Sequence, residues 1–404
     1  MRTLVAVLLA LAAVPAAALD AGDVAAVAAV AGHDVRGVVK ALASDRLDGR
    51  DNDTPQSAVA QQLLLKRLRR LGVGPMGGAD PYRQPFVRSG QTGTNLLAVI
   101  PGRELPDEYV VVGAHYDHLD TRSGPSGACS TGRPPGGGVC HGATDNAAGV
   151  AAVLALGKAL RKLPAPPRRS VVLALWDAEE DGLVGSAHYV AHPAVPLAAT
   201  RAYVNFDILG SDLLPSVAAG TFAIGAETGT GLAALVDAAA APDAIAVRRL
   251  SFIFGQLRSD YANFVAAGVP TVFFSDATNG CYHTIFDDLS VVDWRKLSAQ
   301  GRVAFRLTVA LAEAASPPAF RAPDPALATY ADAQVLDALF AVAIADLPRF
   351  APADQATIRR VRSDLDAIVA AGPGAFDANA VVTVLNAALQ SLDAIAHLGC
   401  LRRG

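Results

Sequence analysis

Short runs of Val, Leu, Ile and Phe recur along this chain, and most are followed by polar residues and then by a stretch with helical spacing. The runs are TNLLAVIPG at 94–102, EYVVVGAHYDHLD at 108–120, RRSVVLALWDAEE at 168–180, RAYVNFDILG at 201–210 and AGVPTVFFSD at 267–276. Near-continuous apolar runs of this length, bounded by turn residues, read as strands buried on both faces. Residues 20–72 read as helical, most strongly PQSAVAQQLLLKRLRRLG, where Val59, Leu63, Leu64, Leu68 and Leu71 share one face between Pro55 and Gly72. Further helices are expected in AAGVAAVLALGKALRKL, from GSAHYV onward, in GLAALVDAAAA and in WRKLSAQGRVAFRLTVALAEAA. Strands alternating with helices predict an α/β fold with a mixed, mostly parallel central sheet, helices on both faces, and function at the strand ends.

Four prolines within SPPAFRAPDP close that unit, so a domain is expected over 19–324. Residues 325–404 read as a C-terminal all-helical extension of three alanine-rich amphipathic helices, broken at FAPAD and AGPGAFD. At the other end, Arg2 precedes an apolar run from Leu4 to Leu19 that includes the small residues Ala16, Ala17 and Ala18. The pattern is that of a signal peptide, 1–18, cleaved after Ala18. The mature chain is then expected to be secreted or periplasmic, with no stable membrane insertion, since no other run reads as long enough to span. Export permits disulfides. Cys129 and Cys140 share one glycine-rich loop and are expected to pair, and parity alone suggests Cys281 with Cys400. Lys and Arg number 34 against 38 Asp and Glu, a net charge of -4, so no basic field exists to attract nucleic acid.

The chemistry-bearing residues collect where the apolar runs end. His115, Asp145, the pair Glu179 and Glu180, Asp207 and His283 each follow or end such a run or sit in a turn beside one. Singly, each reads as a cap or a surface residue. Together, imidazoles and carboxylates at one sheet edge suit a borderline divalent ion such as zinc, and their number suggests a two-metal site. His115 and Asp117 stand two apart, on one face of an extended backbone, so Asp117 can accept the free N–H of His115 and orient its ring. His118 would face away if the strand continues. Asp145 precedes an apolar helix and reads either as its N-cap or as a carboxylate bridging two cations. Adjacent residues of an extended segment point in opposite directions, so one of Glu179 and Glu180 can bind metal while the other serves as general base. A solvated acidic turn is the plain alternative for that pair.

The ordered segments LASDRLDGR, GAHYDH, GATDNAAG, DAEEDGLVGS, NFDILG, SDYANF and CYHT resemble those of the M28 family of zinc-dependent exopeptidases, the bacterial and fungal aminopeptidase group, over roughly residues 38–312. The resemblance implies a zinc exopeptidase-like fold, two zinc ions, and peptide substrates cut at the N terminus. It further implies His115 and Asp207 on opposite metals, Asp145 bridging, and Glu180 and His283 completing the shells. Glu179 then becomes the general acid/base, Asp117 the histidine-orienting carboxylate and Tyr282 a substrate contact. Three positions depart from the family pattern: Thr144 where an acidic residue is common, Tyr261 where SDH is usual, and Asp288 after Asp287 where Thr is usual. The 120–142 loop joins two ligand segments and is expected to rim the cleft. Two other readings share this fold: a glutaminyl cyclase-like acyltransferase and a catalytically inactive binding module. No basic residue can be assigned from sequence to a substrate carboxylate, and neither the preferred side chain nor the oligomeric state is readable.

Overall fold

A computed structural model describes residue 26 and residues 33–76, 80–88, 90–121, 129, 138–324 and 327–401. The expected signal segment and most of the 120–142 loop lie outside these residues. Among the described residues, nine strands form one mixed sheet: β1 Gly74–Pro75, β2 Arg83–Arg88, β3 Gln91–Ile100, β4 Leu105–His115, β5 Arg169–Trp176, β6 Thr200–Phe206, β7 Gly220–Ile224, β8 Ala246–Leu250 and β9 Thr271–Ser275. Their order is β1-β3-β5-β4-β6-β9-β7-β8, with β2 paired to β3. The central strands β5, β4, β6 and β9 run parallel, and β3 and β7 flank them antiparallel.

The apolar runs form the centre because side chains alternate across a strand and both faces are covered. Val110 and Val112 of β4 join one apolar cluster and Val111 the other, all fully buried. The first face packs against α1 (His33–Leu42), α2 (Pro55–Leu71), α3 (Ala148–Leu160), α5 (Leu232–Ala240) and α7 (Trp294–Glu313), through residues such as Val39, Leu64, Val153, Val236 and Leu307. α2 begins and ends where the sequence signals it. Thr54 caps it by accepting from the Ser57 N–H, and Gly72 ends it at a left-handed φ of 66°. The second face packs against α4 (Val184–Ala191), α6 (Tyr261–Ala266), α8 (Tyr330–Ala343), α9 (Pro352–Ala371) and α10 (Ala378–Leu398). Phe340, Leu365 and Val384 of the last three helices share one cluster with Val111 and Trp176 of the sheet.

Several expectations change. Residues 20–72 are not helical throughout: between α1 and α2 the chain makes a short turn, Asp45–Arg50, with left-handed backbone at Asp48 and Gly49. A Cβ at Gly49 would strike the Leu119 carbonyl, so only glycine lets this turn close on the chain leaving β4. The strands β1, β2, β7 and β8 lie outside the runs expected from sequence, β1 being two residues long. β2 carries Pro85 and β8 two arginines, and β7 has five residues, so none presents a long apolar run. α10 corrects the view that only the N-terminal run could cross a bilayer, since it is long and apolar enough by length and composition alone. Its Ala380, Val384, Ala387, Ala394 and Ile395 are buried. Cys129 is bonded to Cys140 and Cys281 to Cys400, which suggests an extracellular or periplasmic protein.

Candidate metal centre and active site

Parallel strands bring their C-terminal ends to one edge, and β4 lies between β5 and β6 at the point where the chain order reverses, the place where open α/β sheets bind ligands. His115 is the last residue of β4, Glu179 and Glu180 follow β5, and Asp207 follows β6. Asp145 comes from the turn before α3, and Tyr282 and His283 from the loop after β9. The structure brings all of them together.

His115 Nε2 stands 3.4 Å from Asp145 Oδ1, 3.3 Å from Asp207 Oδ1 and 3.8 Å from Glu179 Oε2. His283 Nε2 stands 3.2 Å from Asp145 Oδ2 and 3.1 Å from Glu180 Oε2. The two oxygens of Asp145 therefore face two different groups. This corrects the expected split, because His115 and Asp207 lie together on one side of Asp145, with Glu180 and His283 on the other. Asp145 does not cap α3, whose N-cap position is Ala147.

His118 is also in the site. β4 ends at His115, so the pleat no longer governs the next residues, and His118 turns inward, fully buried, with Nδ1 3.0 Å from Glu180 Oε1. The two glutamates do face different partners, but from a turn with left-handed backbone at Ala178 rather than from an extended strand. Asp117 is buried beside His115. Its carbonyl oxygen is 3.2 Å from His115 Nδ1 and its carboxylate 3.7 Å, while Oδ2 accepts the Glu180 N–H at 3.1 Å. Tyr282 stacks on the His283 ring with centroids 3.7 Å apart.

Two supporting residues escaped the sequence reading. Asp287, fully buried, accepts from the Thr144 N–H and hydroxyl and from the Asp145 N–H, at 3.0, 2.7 and 3.0 Å, and so fixes the turn that carries Asp145. The Thr144 departure thus supplies a hydroxyl for Asp287. Arg50, also fully buried, donates to the carbonyls of Tyr116, His141 and Gly142 at 2.5, 2.7 and 2.9 Å, tying the chain after β4 to the Asp145 turn. Its sequence signal was only its place in LASDRLDGR.

The electrostatics are those of crowded anions. Burial pushes the Glu179 carboxyl well up, aided by Asp207, Glu180 and Asp260 and opposed by His115. Burial and Asp145 push Glu180 up as well, yet the bonds to His118 and His283 outweigh them and leave it at about 2. Asp260, from the SDY segment, is pushed up by burial to about 7.

The donor set fits divalent cations. The potential ligand atoms of His115, Asp145 and Asp207 lie within 4.8 Å of one another, and so do those of His118, Asp145 and Glu180. His118 Nε2 is buried with no hydrogen-bond partner, and Asp145 Oδ2 and His283 Nε2 are buried 3.2 Å apart, in contact but not aligned as a hydrogen bond. Buried polar atoms rarely stay without a partner, and carboxylates and imidazoles crowded this closely call for positive charge among them.

The profile of peptidase family M28 matches residues 95–308. Leupeptin-inactivating enzyme 1 of Streptomyces exfoliatus is 36% identical over 129 residues, 32% of this chain and 25% of that protein. The probable glutamate carboxypeptidase LAMP1 of Arabidopsis thaliana is 29% identical over 266 residues, 58% of this chain and 34% of that protein. An aminopeptidase of Pseudomonas aeruginosa is 39% identical over 110 residues, 27% of this chain and 17% of that protein. This chain therefore spans about a third or less of the length of these relatives. Among solved structures, the LapA aminopeptidase of Legionella pneumophila superposes with a TM-score of 0.57 at 19% identity, covering 74% of this chain and 77% of that one. A glutaminyl cyclase of Porphyromonas gingivalis superposes at 0.55 and 17% identity, covering 68% and 96%. A Zn-dependent exopeptidase of Parabacteroides distasonis superposes at 0.55 and 16% identity, covering 68% and 97%. These likenesses establish the fold.

Proposed function

Since the chain belongs to peptidase family M28, we propose that it is a zinc-dependent aminopeptidase that releases N-terminal residues from peptides. Two zinc ions are held by His115, Asp145, Glu180, Asp207 and His283, and Glu179 is the general acid and base. The observation that carries this reading is the placing of Asp145, whose Oδ1 faces His115 and whose Oδ2 faces His283, at 3.4 and 3.2 Å. The aminopeptidase among the relatives and the Zn-dependent exopeptidase among the structural neighbours support it. Peptides are the substrates, and the mature chain works outside the cytoplasm, secreted or periplasmic.

Bound zinc supplies Lewis acidity to such a site. The chain's own residues do the rest. Glu179, with its carboxyl pushed up by burial, holds a proton more readily than an exposed glutamate. It takes one from the attacking water and passes it to the leaving amine. Asp117 orients His115 and, through the Glu180 N–H, the glutamate turn. Asp287 keeps Asp145 in register through two backbone N–H groups. Tyr282, half-buried against His283, contacts the substrate.

In Glu179→Gln we expect metal content by elemental analysis to stay at the wild-type level, while turnover of an aminoacyl p-nitroanilide falls by about 10² to 10⁴. Near-normal turnover removes Glu179 from its role. In His283→Ala the metal content should drop, and full retention removes that ligand. A glutaminyl cyclase on the same fold would yield a pyroglutamyl product, whereas an aminopeptidase releases a free amino acid from a dipeptide.

A further inference from the structure

Beside the site stands a cation that the proposed chemistry leaves unused. Arg258 is exposed on the loop between β8 and α6. It donates from Nη2 to the Tyr282 hydroxyl at 3.3 Å, and its guanidinium lies 5.7 Å from the centre of the Tyr282 ring, which in turn stacks on His283 at 3.7 Å. Among the described residues, no carboxylate forms an ion pair with it.

The loop is built to present this side chain. Gln256 and Leu257 both have left-handed backbone, with φ of 54° and 57°, a conformation that non-glycine residues adopt only when their surroundings impose it. Tyr261 imposes it. Its hydroxyl accepts the Leu257 N–H at 3.0 Å and donates to the Phe252 carbonyl at 3.4 Å, and a side chain at Gly255 would collide with that hydroxyl. The residue after Arg258 is fixed as well, because the buried Ser259 accepts from Asn205 at 2.7 Å. Tyr261 is the departure from the usual SDH noted in the sequence, and here it holds the Arg258 loop in shape.

We propose that Arg258 reads the substrate: it pairs with a carboxylate one or two residues beyond the bond that is cut. The proposal rests on the aminopeptidase reading. The two ring contacts, 5.7 and 3.7 Å, set an upper limit on the separation of the guanidinium from the His283 ring, and two or three residues at about 3.5 Å each span that limit. An unpaired guanidinium beside the site is suited to an incoming carboxylate, which it pairs through a charge-assisted fork. Either the free C terminus of a di- or tripeptide or an acidic side chain supplies that carboxylate.

The test compares kcat/KM for Leu-Gly-Gly with its C-terminal amide, and for Leu-Glu-Gly-amide with Leu-Gln-Gly-amide, using zinc-loaded wild type, Arg258→Ala and Arg258→Lys. Wild type should prefer the carboxylate member of at least one pair by about tenfold, mainly through KM, and the preference should shrink as salt rises. Arg258→Ala should bring that ratio to about one, with Arg258→Lys between the two. The arm in which the ratio moves identifies the source of the carboxylate. If Arg258 merely props Tyr282, Arg258→Ala lowers both members of a pair in proportion and leaves the ratio unchanged, which overturns the proposal. The absence of any preference in wild type overturns it too. Failure of wild type to cut the four peptides and their counterparts with N-terminal Ala, Lys and Phe overturns the aminopeptidase reading itself, and the role of Arg258 with it.

Discussion

Asp145 is the residue on which the site turns, and its neighbours in sequence do not announce it. An aspartate before an apolar helix is most simply a cap, and only the arrival of His115 and His283 on its two oxygens sets that reading aside. His115, Glu179, Glu180 and Asp207 were legible because each stands at or just after a strand end. A continuing strand would turn His118 outward, and the strand stops three residues too soon for that. Asp287 and Arg50 act on backbone groups far along the chain, and a hydrogen bond to a distant carbonyl leaves no local pattern. One residue away from the site gives a pH prediction. Glu108 accepts from Arg201 at 2.9 Å and Arg169 at 2.6 Å, and these bonds hold its carboxyl down from 4.5 to about 2. A carboxyl whose folded value is depressed contributes stability above its unfolded value, and that contribution is lost as pH falls through the folded value. Glu108→Gln should therefore lower Tm near neutral pH, and its Tm should fall less steeply than that of wild type between about pH 4.5 and 2. Parallel Tm curves across that window would remove Glu108 from the acid response.

At the level of elements, the loops carry what the strands cannot. The strand-ending turn at 177–183 sends Glu179 and Glu180 to different partners through left-handed backbone at Ala178 and Leu183, a conformation no alternation rule anticipates. The loop after β9 is held from outside. Cys281 is bonded to Cys400, and a Cβ on the adjacent Gly280 would strike the Gly399 carbonyl, so the chain end lies directly against the segment bearing Tyr282 and His283. The bridge closes a stretch of 119 residues. On the chain-entropy account, a loop of that length contributes about 4 to 5 kcal/mol. Cys400→Ser should lower the unfolding free energy in urea by an amount of that order. It should also weaken metal retention, because His283 loses its anchor two residues away. Unchanged zinc content after dialysis against a mild chelator would confine the bridge to stability. The strands β2, β7 and β8 were not legible for a related reason: each is defined by the strand it pairs with, not by its own apolar pattern.

Over the whole molecule, the C-terminal helices cover one face of the sheet. Leu336, Phe340, Ile358, Leu365 and Val384 share a buried cluster with Phe222, Leu250, Phe252 and Phe264. Asp332 of α8 accepts from the Ser251 N–H and hydroxyl at 2.8 and 2.6 Å, at the root of the loop that carries Arg258. A chain ending at residue 324 should then have a markedly lower Tm and associate through the uncovered face, with peptide turnover reduced. A soluble monomer of unchanged Tm and raised turnover would instead make these helices an inhibitory cover. The sequence by itself determined the α/β class, the sheet-edge location of the chemistry and its metal-binding residue types, because burial on both faces and side-chain alternation are properties of local pattern. Which oxygen of Asp145 faces which histidine, why His118 enters, what supports the Asp145 turn and where Arg258 comes to rest were decided only by tertiary structure. Each depends on groups tens to hundreds of residues apart, and the fold is what closes those distances to about 3 Å, where hydrogen bonds and ion pairs act.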